Sequence, residues 1–253
     1  MKQYICLAVL IFFFGCKEEK KEMEIKKLDF TTETYKKETS LKCDPCPDVS
    51  VTIPVAKNIP VVADSINKKV FHTVRNIIYF GEKPYEASDY NALLASFIKS
   101  YEEVVTEFTD HKVGWNGNVK GSVDYKSDEV LNIKINSYTY TGGAHGYEGN
   151  QSLLFDPKTG KTLTRKDFIK NEEGFKAFAE KKFRNKFNLS PEKPINSTGL
   201  MFENEVFELP LNIFFTKNGL LLYYNTYEIA AYVEGAKELL LPYDEVEEFL
   251  LIK

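Results

Sequence analysis

Histidine is scarce in this 253-residue chain, with only His72, His111 and His145, each far from the others. A zinc centre needs several Cys, His or carboxylate ligands at close spacing, so no metal and no cofactor is expected. His-Glu-x-x-His and the Gly-x-Ser-x-Gly nucleophile elbow are both missing, which removes the commonest sequence marks of metalloproteases and of serine hydrolases. Positive charge is not in excess either. Lys and Arg number 33 against 37 Asp and Glu, a net charge of −4 that becomes −5 once an N-terminal segment carrying Lys2 is cut away. With no basic stripe along the chain, a nucleic-acid surface is excluded. Apolar runs are short except at the N-terminus, so no later stretch can cross a membrane as a helix. What the chain does have is a globular composition, 43% hydrophobic and 28% charged, with 15 Tyr and 19 Phe beside a single Trp. That suits one large domain or two small ones with an aromatic core.

The N-terminal run has its own chemistry. Met1-Lys2-Gln3 is a short positive region, Tyr4 to Phe14 is apolar, and Gly15-Cys16 follows. The apolar part is too short to span a bilayer and reads as a signal peptide over residues 1–15. Phe13-Phe14-Gly15-Cys16 resembles the lipobox of bacterial lipoproteins, which implies that Cys16 is lipidated and becomes the first residue of the exported chain. Acyl chains hold such a protein on the membrane, because each buried CH₂ contributes roughly 0.8 kcal/mol. The charged run Lys17-Glu18-Glu19-Lys20-Lys21-Glu22 resembles the export tags of Bacteroidetes surface lipoproteins. The expected location is the outer membrane or cell surface, with the periplasmic face as the other option, and with the lipid as the sole membrane attachment. Residues 16–47 read as the lipidated cysteine plus a solvated, charged tether.

Cys43 and Cys46 enclose Asp44-Pro45. Outside the cytosol such a pair is most simply a small disulfide-closed loop. A thioredoxin-like site would follow a strand and open a helix, whereas Pro47 and Val49-Ser50-Val51-Thr52-Ile53 predict a strand after the pair.

Further along, Asp64 or Ser65 is expected to cap a helix with Ile66, Val70, Val74, Ile77 and Ile78 on one face. Ser88 is expected to cap a second, with Leu93, Leu94, Phe97, Ile98, Tyr101, Val104, Val105 and Phe108. The period then falls to two over residues 115–125, 130–140 and 149–155, an antiparallel meander packed on the two helices. A helical region opens at Thr164 or Asp167, runs through Phe175, Phe178, Phe183 and Phe187, and stops at Pro191–Pro194. Val206–Lys217, Asn218-Gly219 and Leu220–Tyr227 predict a hairpin with a type I′ turn, Pro210 marking an edge or bulge. A strand over 238–241 and a closing helical turn over 244–250 end the chain. The expected fold class is α+β, two helix-on-antiparallel-sheet units over 48–148 and 149–253.

The most unusual stretch is Asn136 to Gly146, where Tyr138 and Tyr140 alternate with Ser137, Thr139 and Thr141 before three glycines break the strand around His145. Gly142, Gly143 and Gly146 permit a sharp corner or a close backbone approach. His145 could act as a general base, a metal ligand or a hydrogen-bond partner for a ligand, or it could pin the turn to a backbone carbonyl. Tyr138, Tyr140, Thr141, Gly142, Gly143, His145 and Tyr147 form the candidate ligand-binding set, with no catalytic residue assigned.

Three separated runs carry a resemblance. They are Tyr140-Thr141-Gly142-Gly143-Ala144-His145-Gly146; Asp156-Pro157-Lys158-Thr159-Gly160-Lys161 with Asp167-Phe168; and Tyr223-Tyr224-Asn225-Thr226-Tyr227-Glu228-Ile229-Ala230 with Gly235 and Leu241-Pro242-Tyr243. In this order they resemble a DUF4163 domain followed by a DUF3298 domain. The first is similar to the segment ahead of the catalytic domain in a PdaC-type peptidoglycan deacetylase, and the pair to the extracellular part of an RsiV-type, lysozyme-sensing anti-sigma factor. The resemblance implies an envelope module that binds a cell-wall glycan or a lysozyme-like protein. It does not imply deacetylation, whose metal-binding catalytic domain is a separate unit, and a lipid anchor stands where the anti-sigma factor has a membrane helix. The alternative is a glycan-directed hydrolase with His145 as base and Glu148 or Glu228 as its acidic partner.

Overall fold

A computed structural model describes residues 27–78, 86–108 and 113–252. The signal segment, Cys16 and His111 lie outside the described residues.

The first sheet has five strands in the order β1-β2-β3-β4-β5. They are β1 (Asp29–Lys37), β2 (Asp48–Lys57), β3 (Asn116–Lys126), β4 (Leu131–Tyr140) and β5 (Tyr147–Phe155). Antiparallel pairing dominates, and the expected meander β3-β4-β5 is present. One pair departs from it. β2 runs parallel to β3, a pairing that needs a long crossover, and the helices α1 (Pro60–Ile77) and α2 (Tyr90–Glu107) lie between the two strands in sequence.

β1 corrects the reading of residues 16–47 as a tether throughout. It pairs with β2 from Asp29↔Lys57 to Lys37↔Val49. An edge strand needs little apolar surface, and the two aromatics of β1 that pack on the core, Phe30 and Tyr35, are five residues apart, out of step with a period of two. Thr31, Thr32 and Thr34 nevertheless favour an extended chain. Cys43 and Cys46 form a disulfide in the connection from β1 to β2.

Both helix starts differ from expectation. α1 begins at Pro60, where the missing N–H costs nothing because a first-turn amide has no helical partner. α2 is capped by Asp89 rather than Ser88, its Oδ1 accepting from the Ala92 amide at 2.9 Å. Ile66, Val70 and Val74 of α1 and Leu93, Leu94 and Phe97 of α2 are buried against the inner faces of Val49, Val51 and Ile53. The sole tryptophan, Trp115, meets Phe97 and Tyr101 edge-on.

The second sheet has the order β6-β7-β8, from β6 (Asn212–Phe215), β7 (Gly219–Tyr224) and β8 (Lys237–Pro242). The helical region splits into α3 (Arg165–Phe168) and α4 (Glu172–Lys186). Thr164 and Asp167 form a capping box at α3, and Asn171 caps α4. The hydrogen bonds from Thr164 hold the Asp167 carboxyl below its usual range. Ile169, between the helices, bridges to Leu250 instead of continuing the helix.

The hairpin is shorter than expected, because strand pairing begins only at Asn212, after Pro210. Its turn is not type I′, since φ is positive at Gly219 (+150°) and not at Asn218. An ideal Cβ at Gly219 would lie 2.1 Å from the Leu241 carbonyl oxygen, so β8 can pair there only with a glycine. Gly219→Ala is expected to lower stability by about 1–3 kcal/mol, the usual cost of one strained backbone position. A urea midpoint unchanged from the parent protein would refute this.

The 148/149 division of the sequence falls inside β5, which pairs with β4 along its whole length. The outer edge of β5 meets the second sheet through asparagines. The Asn225 carboxamide accepts from the Asn150 amide at 2.7 Å and donates to the Asn150 carbonyl at 2.9 Å. Asn212 Oδ1 accepts from the Ser152 amide at 2.9 Å, and Asn132 Oδ1 accepts from the Phe215 amide at 2.8 Å. Side-chain amides thus satisfy backbone groups that a neighbouring strand would otherwise pair.

Candidate functional site

The glycine-rich stretch closes the hairpin between β4 and β5. Gly142 (φ +115°) and Gly143 (φ +93°) make the turn, and the Tyr140 hydroxyl donates to the Gly143 carbonyl at 3.0 Å. Tyr140 and Thr141 are half-buried, so this part of the candidate set builds the turn more than it offers surface. Gly146 is buried under Tyr138, whose hydroxyl would stand 2.4 Å from a Cβ placed there. A side chain at Gly146 would displace that ring.

His145 is exposed on this turn and makes two hydrogen bonds. Its Nδ1 lies 3.0 Å from the Gly146 carbonyl and its Nε2 lies 3.1 Å from the Tyr227 hydroxyl. A carbonyl can only accept, so Nδ1 carries the proton, and in the neutral ring Nε2 accepts from Tyr227. The imidazole also stacks on Tyr232, with centroids 3.7 Å apart and planes 16° from parallel. Tyr227 and Tyr232 are themselves 5.4 Å apart, and the Tyr232 hydroxyl donates to the Gly146 carbonyl at 3.3 Å.

The loop that brings these two tyrosines is fixed by Glu228. Its carboxylate accepts from the Leu211 amide and from the Asn225 amide, both at 2.8 Å, while Asn225 grips Asn150 of β5. Tyr227 takes a left-handed backbone conformation (φ +70°), which turns the chain at that point. Burial pushes the Tyr147 phenol up, with Glu228 and Tyr223 adding to it. Burial also raises the Tyr223 phenol, although its hydrogen bond from Asn150 opposes the shift.

The rings of Tyr227 and Tyr232, from the second half of the chain, therefore flank His145, while Tyr138 covers the neighbouring Gly146. Tyr138, Tyr147, Tyr227 and Tyr232 expose 41%, 42%, 54% and 39% of their surface, more than a hydrophobic core or a simple turn requires. Tyr227 and Tyr232 were absent from the candidate set. The run Tyr223 to Glu228 was legible as a motif, but nothing in it points to a turn about 80 residues earlier.

The carboxylates expected of a hydrolase do not serve the imidazole. Glu228 is committed to two backbone amides, and Glu148 accepts from the Asn136 carboxamide at 3.2 Å. Among the described residues no group of three His, Cys, Asp or Glu side chains is placed to hold a metal ion, and no helix is long and apolar enough to cross a membrane.

Residues 40–148 match the family model described as "Deacetylase PdaC", and residues 161–244 match that of a "Protein of unknown function (DUF3298)". Among curated proteins nothing matches. The fold is similar to the crystal structure of a DUF3298 family member from Bacteroides fragilis, with a TM-score of 0.61 and 18% identity over 89% of this chain and 95% of that one. A DUF3298 family protein from Pseudomonas aeruginosa is similar to the same degree, with a TM-score of 0.59 and 19% identity over 89% and 94% of the two chains. At these identities the likeness establishes the α+β fold.

Proposed function

We propose that this chain, a PdaC-like segment followed by a DUF3298 segment, is a lipid-anchored binding module of the bacterial cell envelope. It is held by Cys16 at the outer membrane or cell surface. Its ligand is a peptidoglycan-related glycan or, on the same surface, a lysozyme-like protein.

One observation carries this reading: the exposed rings of Tyr227 and Tyr232 set against His145, with the exposed ring of Tyr138 over the neighbouring Gly146. Tyrosine offers rigid apolar area with a polar tip, and it loses little freedom on binding because its side chain has few rotatable bonds. The same chemistry serves a sugar ring, whose faces are apolar and whose rim is polar, and a protein hot spot. His145 acts as a positioning residue here, fixed by Gly146 and Tyr227 and holding Tyr232 by stacking.

Calorimetric titration tests this with the chain from residue 17 onward, which keeps β1. Soluble peptidoglycan fragments and a lysozyme are the two ligands. Saturable binding of one of them is expected, and the double variant Tyr227→Ala/Tyr232→Ala should weaken it at least tenfold, as the loss of interface aromatics commonly does. Equal affinity of parent and double variant would move the site elsewhere, and no heat with either ligand would defeat the reading.

A further inference from the structure

A second surface is a cleft of about 290 Å³ where α1, β5, the start of α3 and β6 meet. Its size is near the lower end of known ligand pockets. Both halves of the chain line it. Lys69 comes from α1, Arg165 from α3, and Leu163, Phe168, Leu211 and Ile213 supply apolar walls.

Three features give the cleft a ligand chemistry. First, two cations reach it from separate elements. On α1 the adjacent Lys68 is paired with Asp64 at 2.8 Å, whereas Lys69 has no carboxylate within ion-pairing distance among the described residues. Second, Arg165 is only partly neutralised. Its Nε lies 3.3 Å from Glu172, which leaves the two terminal nitrogens of the fork for a planar anion. Lys69 and Arg165 together with Glu172 carry a net charge of +1, which matches a monoanion. Third, Leu211 at the mouth is 89% exposed while its backbone amide is held by Glu228 at 2.8 Å. An aliphatic side chain fixed in water gains from any apolar group that covers it. Phe168 and Ile213 beneath it are already buried and form a floor.

We infer that this cleft binds a small organic carboxylate with an aliphatic body, its charge between Lys69 and Arg165 and its chain against Leu211 and Ile213. The cleft shares no lining residue with the tyrosine patch, although Glu228 anchors both Leu211 and the loop of Tyr227 and Tyr232. Two sources would present this chemistry, a fatty acid and the free C-terminus of a peptide ending in an aliphatic residue.

The test is a titration of the chain from residue 17 onward, followed by calorimetry and by NMR, with octanoate and with N-acetyl-leucine as probes and octan-1-ol as the uncharged control. Saturable binding of at least one carboxylate and none of the alcohol is expected. Stronger binding of octanoate would indicate a lipid source, and stronger binding of N-acetyl-leucine a peptide source. Lys69→Glu should weaken the bound probe at least tenfold with no change in melting temperature, because Lys69 is exposed and makes no ion pair. Leu211→Asp, at another exposed side chain, should do the same. Failure of both carboxylates to bind, equal binding of octan-1-ol, or parent-like affinity in both variants would each overturn the inference.

Discussion

Phe183→Ala is expected to destabilise the protein by about 3–5 kcal/mol, the range for removing a large buried aromatic side chain. Phe183 is fully buried in the second core, on the inner face of α4. Its ring meets Phe187 at 4.4 Å, Phe207 at 5.5 Å, and Phe202 and Tyr224 at 5.7 Å. Those neighbours come from α4, from the irregular stretch before β6 and from β7, so the cavity opens at the point where all three meet. They cannot collapse into it without breaking other contacts. Tyr224, for example, is tied by its hydroxyl to the Glu208 carbonyl at 2.7 Å, and burial drives its phenol upward. Phe183→Leu keeps most of the volume and should cost less than about 1.5 kcal/mol, as volume-conserving swaps usually do. Urea unfolding of both variants would check the pair. Similar losses for Ala and Leu would mean that filled volume at this position does not set the stability of the second half.

Asn132→Leu is expected to have the next largest effect and a different signature. Asn132 has no exposed surface, and its carboxamide is shared between the halves. Oδ1 accepts from the Phe215 amide of β6, while Nδ2 donates to Ser152 Oγ at 3.0 Å. Ser152 Oγ in turn donates to the Ile213 carbonyl at 2.7 Å. Leucine has nearly the same shape but leaves the Phe215 N–H without an acceptor in a place water does not reach. Each buried group left unpaired costs roughly 1–3 kcal/mol. The loss falls on the seam, so cooperativity should suffer along with stability. Trp115, the sole tryptophan, reports on the first core, and far-UV circular dichroism reports on the whole chain. The two unfolding transitions should coincide in the parent protein and separate in Asn132→Leu. Coincident transitions with an unchanged midpoint would show that the asparagine seam does not couple the halves.

Much of the fold was legible because most of its elements follow local rules. Of the apolar stripe expected for α2, Leu93, Leu94, Phe97, Ile98 and Tyr101 are buried, whereas Val104 and Val105 are half-buried and Phe108, past the helix end, is exposed. Strands β3, β4 and β5 each lie within two residues of the period-two runs. Errors gathered where the chain environment outweighs local pattern. β1 was hidden because an edge strand shows one face and both its ends to water, so a polar, Thr-rich sequence suffices. The turn after β6 misled because Asn-Gly favours type I′ only when nothing else approaches, and the Leu241 carbonyl of β8 occupies the space above Gly219. The site was half legible. Tyr138, His145 and Tyr147 stand in one run beside the glycines, but the partners of His145, Tyr227 and Tyr232, lie in a second loop.

By itself the sequence determined the helices, the meander, the α+β class and the disulfide between Cys43 and Cys46. Helical and strand periodicity and a four-residue disulfide loop are read from residues a few positions apart, and the side chains that decide them are neighbours in the chain. Tertiary structure alone decided the parallel pairing of β2 with β3, the place of β1 at the sheet edge, the asparagine seam and the company His145 keeps. The ring of His145 meets the Tyr227 hydroxyl across 82 positions of chain. No local rule spans that distance, because the contact exists only after Glu228 has fixed its loop and Asn225 has gripped β5.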